Sequence, residues 1–121
     1  MMTQKTLMLD QVYSPLVVQL IDDVEIHLTQ PLSVSKLAEL LQTSTSRLSA
    51  AVNHHLQLTI PGYVMQRRLE EAAILLVETE EPMQRIAKHL PFTRQHYFST
   101  AFRQRFQCSP SAYRSYFCGE P

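Results

Sequence analysis

Between Val12 and Leu28 the apolar residues Leu16, Val17, Leu20, Ile21, Val24 and Leu28 recur at three- and four-residue steps, while Asp22, Asp23 and Glu25 fall between them. That period is one face of an amphipathic helix, and it predicts a helix that stops before Pro31. Ser33 predicts an N-cap for a short helix through Leu41, and Thr43 or Ser44 opens another in which Leu48, Val52 and Leu56 share one side. A longer helix is predicted from Thr59 or Ile60 to about Thr79, with Pro61 in the first turn, where its missing N–H leaves no bond unmade. Pro82 restarts helix for Met83 to Leu90, Thr93 caps the next through about Gln107, and Ser109-Pro110 is a cap and first turn for the last. The result is about seven helices joined by short turns. With only two glycines and no alternating Val, Ile or Thr run, nothing predicts a sheet, and the fold class is all-α.

The pattern also repeats. Leu37-Ala38 and Leu41 match Ile86-Ala87 and Leu90 at a shift of 49, and Leu48, Val52, Leu56, Thr59 and Tyr63 match Phe98, Phe102, Phe106, Ser109 and Tyr113 at a shift of 50. Two copies of one helix-turn-helix unit explain this best, each with a short helix, a tight turn and a second helix whose polar face is free. A free helix face fits the major groove of DNA. The organisation expected is an N-terminal helix and first unit in residues 1–58, a linker helix in 59–80, and a second unit with a C-terminal helix in 81–121.

Charge sharpens the picture because it is unevenly placed. The formal net charge is zero, yet residues 82–118 hold Arg85, Lys88, Arg94, Arg103, Arg105 and Arg114 with no Asp or Glu, while residues 1–81 carry ten acidic and five basic side chains. A pI near 7.0 hides this asymmetry, which points to nucleic acid as partner. The N-terminus lacks a basic start followed by an apolar stretch, and no apolar run is long enough to span a bilayer, so a cytoplasmic, membrane-free protein is expected. Cys108 and Cys118 are expected to stay reduced in that compartment. No phosphate-cradling glycine loop or nucleophile motif is present. His54 and His55, being adjacent, point apart on a helix, so neither an enzyme, a metal site nor a cofactor is expected.

The stretch from Pro31 to Phe117 resembles the DNA-binding region of AraC/XylS-type transcriptional regulators of bacteria. In the first half the resemblance rests on Leu37-Ala38, Ser44, Leu48 and Tyr63, in the linker helix on Arg68-Leu69, Ala72 and Leu75-Leu76. In the second half it rests on Ile86-Ala87, Phe92, Phe98, Phe102, Phe106, Ser109-Pro110 and Tyr113-Arg114. The resemblance implies two helix-turn-helix units on a long linker helix, presenting two recognition helices about one DNA turn apart, so that a monomer reads an asymmetric site of double-stranded DNA. It also implies a small stand-alone member without a small-molecule effector, and activation through contact with RNA polymerase. Where the family carries glycine at the two turns and after each recognition helix, this chain has Gln42, Pro91, Gln57 and Gln107. Glutamine adopts the left-handed conformation at a cost of about 1 kcal/mol, whereas proline cannot adopt it, so the turn at Leu90-Pro91-Phe92 is expected to be built differently.

The candidate DNA contacts on the first recognition helix are Ser46, Arg47, Ser49 and Ala50. Arg47 has the length and fork for a guanine or a phosphate, and the short side chains suit thymine methyls or phosphates. On the second they are Arg94, Gln95, His96, Ser99, Thr100 and Arg103, with Gln95 suited to adenine and the arginines to guanine or phosphate. Tyr97, Phe98, Phe102, Phe106 and Tyr113 are expected to be core. A second reading stays open at this point: a protein-interaction module of the same fold that modulates another regulator or polymerase with little DNA binding of its own. The short side chains of the first recognition helix, Pro91, and the acidic residues before position 82 favour it.

Overall fold

The computed structural model describes residues 14–91 and 95–117, the side chains of residues 95 and 96 excepted. Among these residues there are seven helices and no strand: α1 (Pro15–Ile26), α2 (Val34–Leu40), α3 (Thr45–Leu56), α4 (Ile60–Glu78), α5 (Met83–His89), α6 (Gln95–Phe106) and α7 (Pro110–Phe117). The all-α expectation therefore holds. The chain divides into two compact units, Met1–Val64 and Met65–Pro121, the division falling inside α4.

In the first unit α1 and α2 both pack on α3. Val17, Leu20 and Val24 of α1, Leu37 of α2, and Leu48 and Val52 of α3 are fully buried, as their spacing predicts. The caps are local. The Ser33 hydroxyl accepts from the Lys36 N–H at 3.1 Å and the Ser44 hydroxyl from the Arg47 N–H at 3.1 Å, so each supplies the acceptor that the first turn of a helix lacks. Both ends of α1 differ from expectation. Helix α1 starts at Pro15 rather than Val12, because Ser14 is extended (φ −64°, ψ 154°) and caps a proline-led first turn. It also ends at Ile26, where the His27 N–H closes on the Asp23 carbonyl at 3.1 Å.

In the second unit α5 and α7 pack against α6. Phe98 and Phe102 of α6 have no exposed surface, and the Phe102 ring meets Phe106 at 4.6 Å and Tyr113 of α7 at 5.4 Å, the latter edge to face. Phe106 and Tyr113 are only half-buried. Helix α7 begins as predicted, with the Ser109 hydroxyl accepting from the Ala112 N–H at 3.1 Å. The predicted Thr93 cap lies outside the described residues, as does Cys118; Cys108 is half-buried. No helix among the described residues is long and apolar enough to cross a membrane.

Candidate nucleic-acid interface

Helix α3 shows what its sequence pattern implies. Leu48 and Val52 anchor one side in the core, and Ser46, Arg47, Ser49 and Ala50 are all exposed, together with Thr45, Asn53 and His54. Only the backbone N–H of Arg47 is used locally, by the Ser44 cap, and its guanidinium has no partner among the described residues. An unpaired fork on an otherwise short-chained face can reach furthest from the helix surface.

Helix α6 repeats the arrangement with a heavier core side. Thr100 and Arg103 are exposed opposite Phe98 and Phe102, the Arg103 guanidinium has no partner among the described residues, and Ser99 is half-buried at the edge of the face. Gln95 and His96 belong to the first turn of α6, but their side chains and the whole of Arg94 lie outside the described residues. Tyr97 corrects the expectation that it is core: 52% of it is exposed. The physical reason is angular. At about 100° per residue, Tyr97 lies roughly 140° round the helix from Phe102 and roughly 180° from Phe106, so it faces away from the buried stripe although it adjoins Phe98 in sequence. The repeat carried the signal, since the shift of 50 that pairs Leu48 with Phe98 also pairs the outward Arg47 with Tyr97.

Turn chemistry sets where both helices begin and end. Gln42 is left-handed (φ 55°), with its N–H bonded to the Glu39 carbonyl and the Thr43 N–H to the Ala38 carbonyl, which is the paired-bond closure usually given to glycine. Gln57 (φ 54°) and Gln107 (φ 65°) end α3 and α6 in the same left-handed state. At the remaining turn Leu90 is extended (φ −102°, ψ 104°), as a residue ahead of proline is forced to be, so the second unit leaves its short helix α5 by a different route from the first.

Not every cation of the basic segment is available to a ligand. Arg114 is spent internally: its Nε donates to the Leu76 carbonyl at 2.8 Å, and one terminal nitrogen donates to the carbonyls of Thr79 and Glu81 at 3.2 and 2.7 Å. These are carbonyls at and beyond the end of α4, where a helix has none of its own donors left. Arg105 lies 3.6 Å from Glu70, which also pairs with Arg67, and Arg85 lies 3.6 Å from Glu81. Such exposed pairs are weak and break readily, whereas the Arg114 bonds are structural. Burial pulls the half-buried Arg68 guanidinium below its usual arginine pKa. Lys88 and Arg103 are left exposed and unpaired among the described residues.

The sequence and the helical fold match known proteins. A family described as a helix-turn-helix domain matches residues 37–116, from the buried middle of α2 into α7. The regulatory protein SoxS of Salmonella typhimurium is 37% identical over 98 residues, covering 78% of this chain and 89% of SoxS. This chain belongs to the AraC-type helix-turn-helix family. Among solved structures similar to this AraC-type chain, the C-terminal domain of the response regulator AraT from Geobacillus stearothermophilus has 35% identity and a TM-score of 0.80, covering 85% of this chain and 86% of that domain. The DNA-binding domain of AdpA, a global transcriptional factor solved with a target DNA, has a TM-score of 0.77 over 85% of this chain and 92% of its own, at 21% identity, a likeness of fold. Other AraC-type relatives are longer, and the chain spans 40% and 39% of the length of two of them. Among the described residues no cluster of three or more His, Cys, Asp or Glu is placed to hold a metal ion; His54 and His55, expected to point apart, instead meet edge to face at 4.8 Å, because two rings about 100° apart on a helix can still lean together.

Proposed function

We propose that this AraC-type regulator is a cytoplasmic activator that binds an asymmetric site on double-stranded DNA as a monomer, α3 and α6 each reading one short block of bases. The observation that carries the reading is the exposed, unpaired face of each helix over a fully buried side: Ser46, Arg47, Ser49 and Ala50 over Leu48 and Val52, Thr100 and Arg103 over Phe98 and Phe102. Arg47 and Arg103 supply the charged contacts to guanine or phosphate, with Arg94 in the same role. Gln95 takes adenine, and His96, Ser99 and the short residues of α3 complete the positioning contacts. Residues 1–58 and 81–121 act as the two reading units and 59–80 as the connector. Activation proceeds through contact with RNA polymerase.

The test is selection by the purified protein from a random pool of duplexes of about 25 base pairs, at several salt concentrations. A retained asymmetric motif with two short blocks about 10 base pairs apart supports the reading. With four or five phosphates neutralised, log affinity falls against log salt with a slope of about −4 to −5. No retention even at low salt overturns it and leaves the protein-interaction reading.

A further inference from the structure

Tyr97 occupies on α6 the register that Arg47 occupies on α3, each one residue before the fully buried Phe98 and Leu48. It is half-exposed, and its hydroxyl has no hydrogen-bond partner among the described residues. Helical geometry fixes its direction. At about 100° per residue, Thr100 and Arg103 lie near the centre of the outward face of α6, and Tyr97 lies on its flank, roughly 90° from the midpoint between them. A helix seated in the major groove turns its centre to the base edges and its flanks to the two walls of phosphates. A tyrosine hydroxyl is one of the uncharged donors that hold a duplex by its backbone.

We propose that the Tyr97 hydroxyl donates a hydrogen bond to a DNA phosphate at the edge of the groove read by α6. This rests on the reading of α6 as a DNA-contacting helix, and deepens it. At one and the same register the first unit holds the backbone with a cation, Arg47, and the second with an uncharged donor. The second unit thereby adds a phosphate contact that releases no counterion and carries no base preference.

The experiment uses the purified protein and the duplexes that the wild-type protein retains from the random 25-base-pair pool. Tyr97→Phe, which removes only the hydroxyl, is expected to weaken binding roughly three- to tenfold, with base preference and salt slope unchanged. Tyr97→Arg is expected to steepen the salt slope by about 0.9, the increment of one further neutralised phosphate. Tyr97→Phe binding as tightly as the wild type overturns the inference alone, as does a changed base preference in that variant, which would place the residue on a base. A wild-type protein that retains no duplex overturns the DNA-binding reading itself. Thermal melting of both variants separates lost contact from lost fold.

Discussion

Gln57 and Gln107, fifty residues apart, end their helices in the same way: each is left-handed, each bonds its backbone N–H to the carbonyl four residues back, and each side-chain amide donates at 2.8 Å to the carbonyl three residues back. The side chain thus satisfies a carbonyl that the helix end leaves open, which offsets the left-handed strain that glycine would avoid. Gln57→Gly and Gln107→Gly are therefore expected to change stability by less than about 0.5 kcal/mol, because strain relief and the lost amide bond oppose each other. Gln→Ala at either position keeps the strain and loses the bond, and is expected to cost about 1 kcal/mol in urea unfolding.

Arg114 is expected to be the most sensitive surface-reaching arginine for stability. Its three charge-assisted bonds close the end of α4 and the turn after it. Arg114→Ala leaves those carbonyls without that donor and should cost about 2–3 kcal/mol, seen as a melting temperature lower by about 10 °C. Arg114→Lys, a single charge without the fork, should recover only a minor part of the loss.

Core and face on α6 separate cleanly by substitution. Phe102→Ala opens a cavity under Phe98, Phe106 and Tyr113, and an effect of about 3–5 kcal/mol is expected. Tyr97→Ala, one turn away on the solvent side, should alter stability by less than about 1 kcal/mol. Similar losses in the two variants would return Tyr97 to the core.

Binding variants distinguish backbone from base contacts. Arg47→Ala and Arg103→Ala are each expected to weaken binding across sequences and flatten the salt slope by about 0.9 per phosphate lost. Gln95→Ala should instead relax preference at one base pair, worth about 1–3 kcal/mol of discrimination, with the slope unchanged. Unchanged binding in Arg103→Ala and Gln95→Ala together would remove α6 from the interface.

What was legible in the sequence was what local chemistry decides. Ser33, Ser44 and Ser109-Pro110 mark helix starts because a hydroxyl three residues ahead of an N–H needs nothing from the rest of the chain. Leu48, Val52, Phe98 and Phe102 are buried where their period puts them. Three things were not legible by that means. The bond from Arg114 to Leu76 joins residues 38 apart, and no spacing rule distinguishes it from a basic residue facing solvent. Tyr97 is exposed because its register, shared with the outward Arg47 fifty residues earlier, decides its direction, whereas its aromatic type alone predicts core. The start of α1 moved to Pro15 because apolar period continues through a residue whose backbone is already extended.

The internal use of Arg114 bears on how the protein finds a site. A regulator searching a genome spends most of its time on the wrong sequence, and each cation facing the backbone lengthens every such stay. Locking Arg114 under its own fold leaves the basic segment one cation fewer to offer a DNA backbone than its sequence counts, so stays on unrelated sequence are expected to be shorter than the charge of residues 82–118 alone implies.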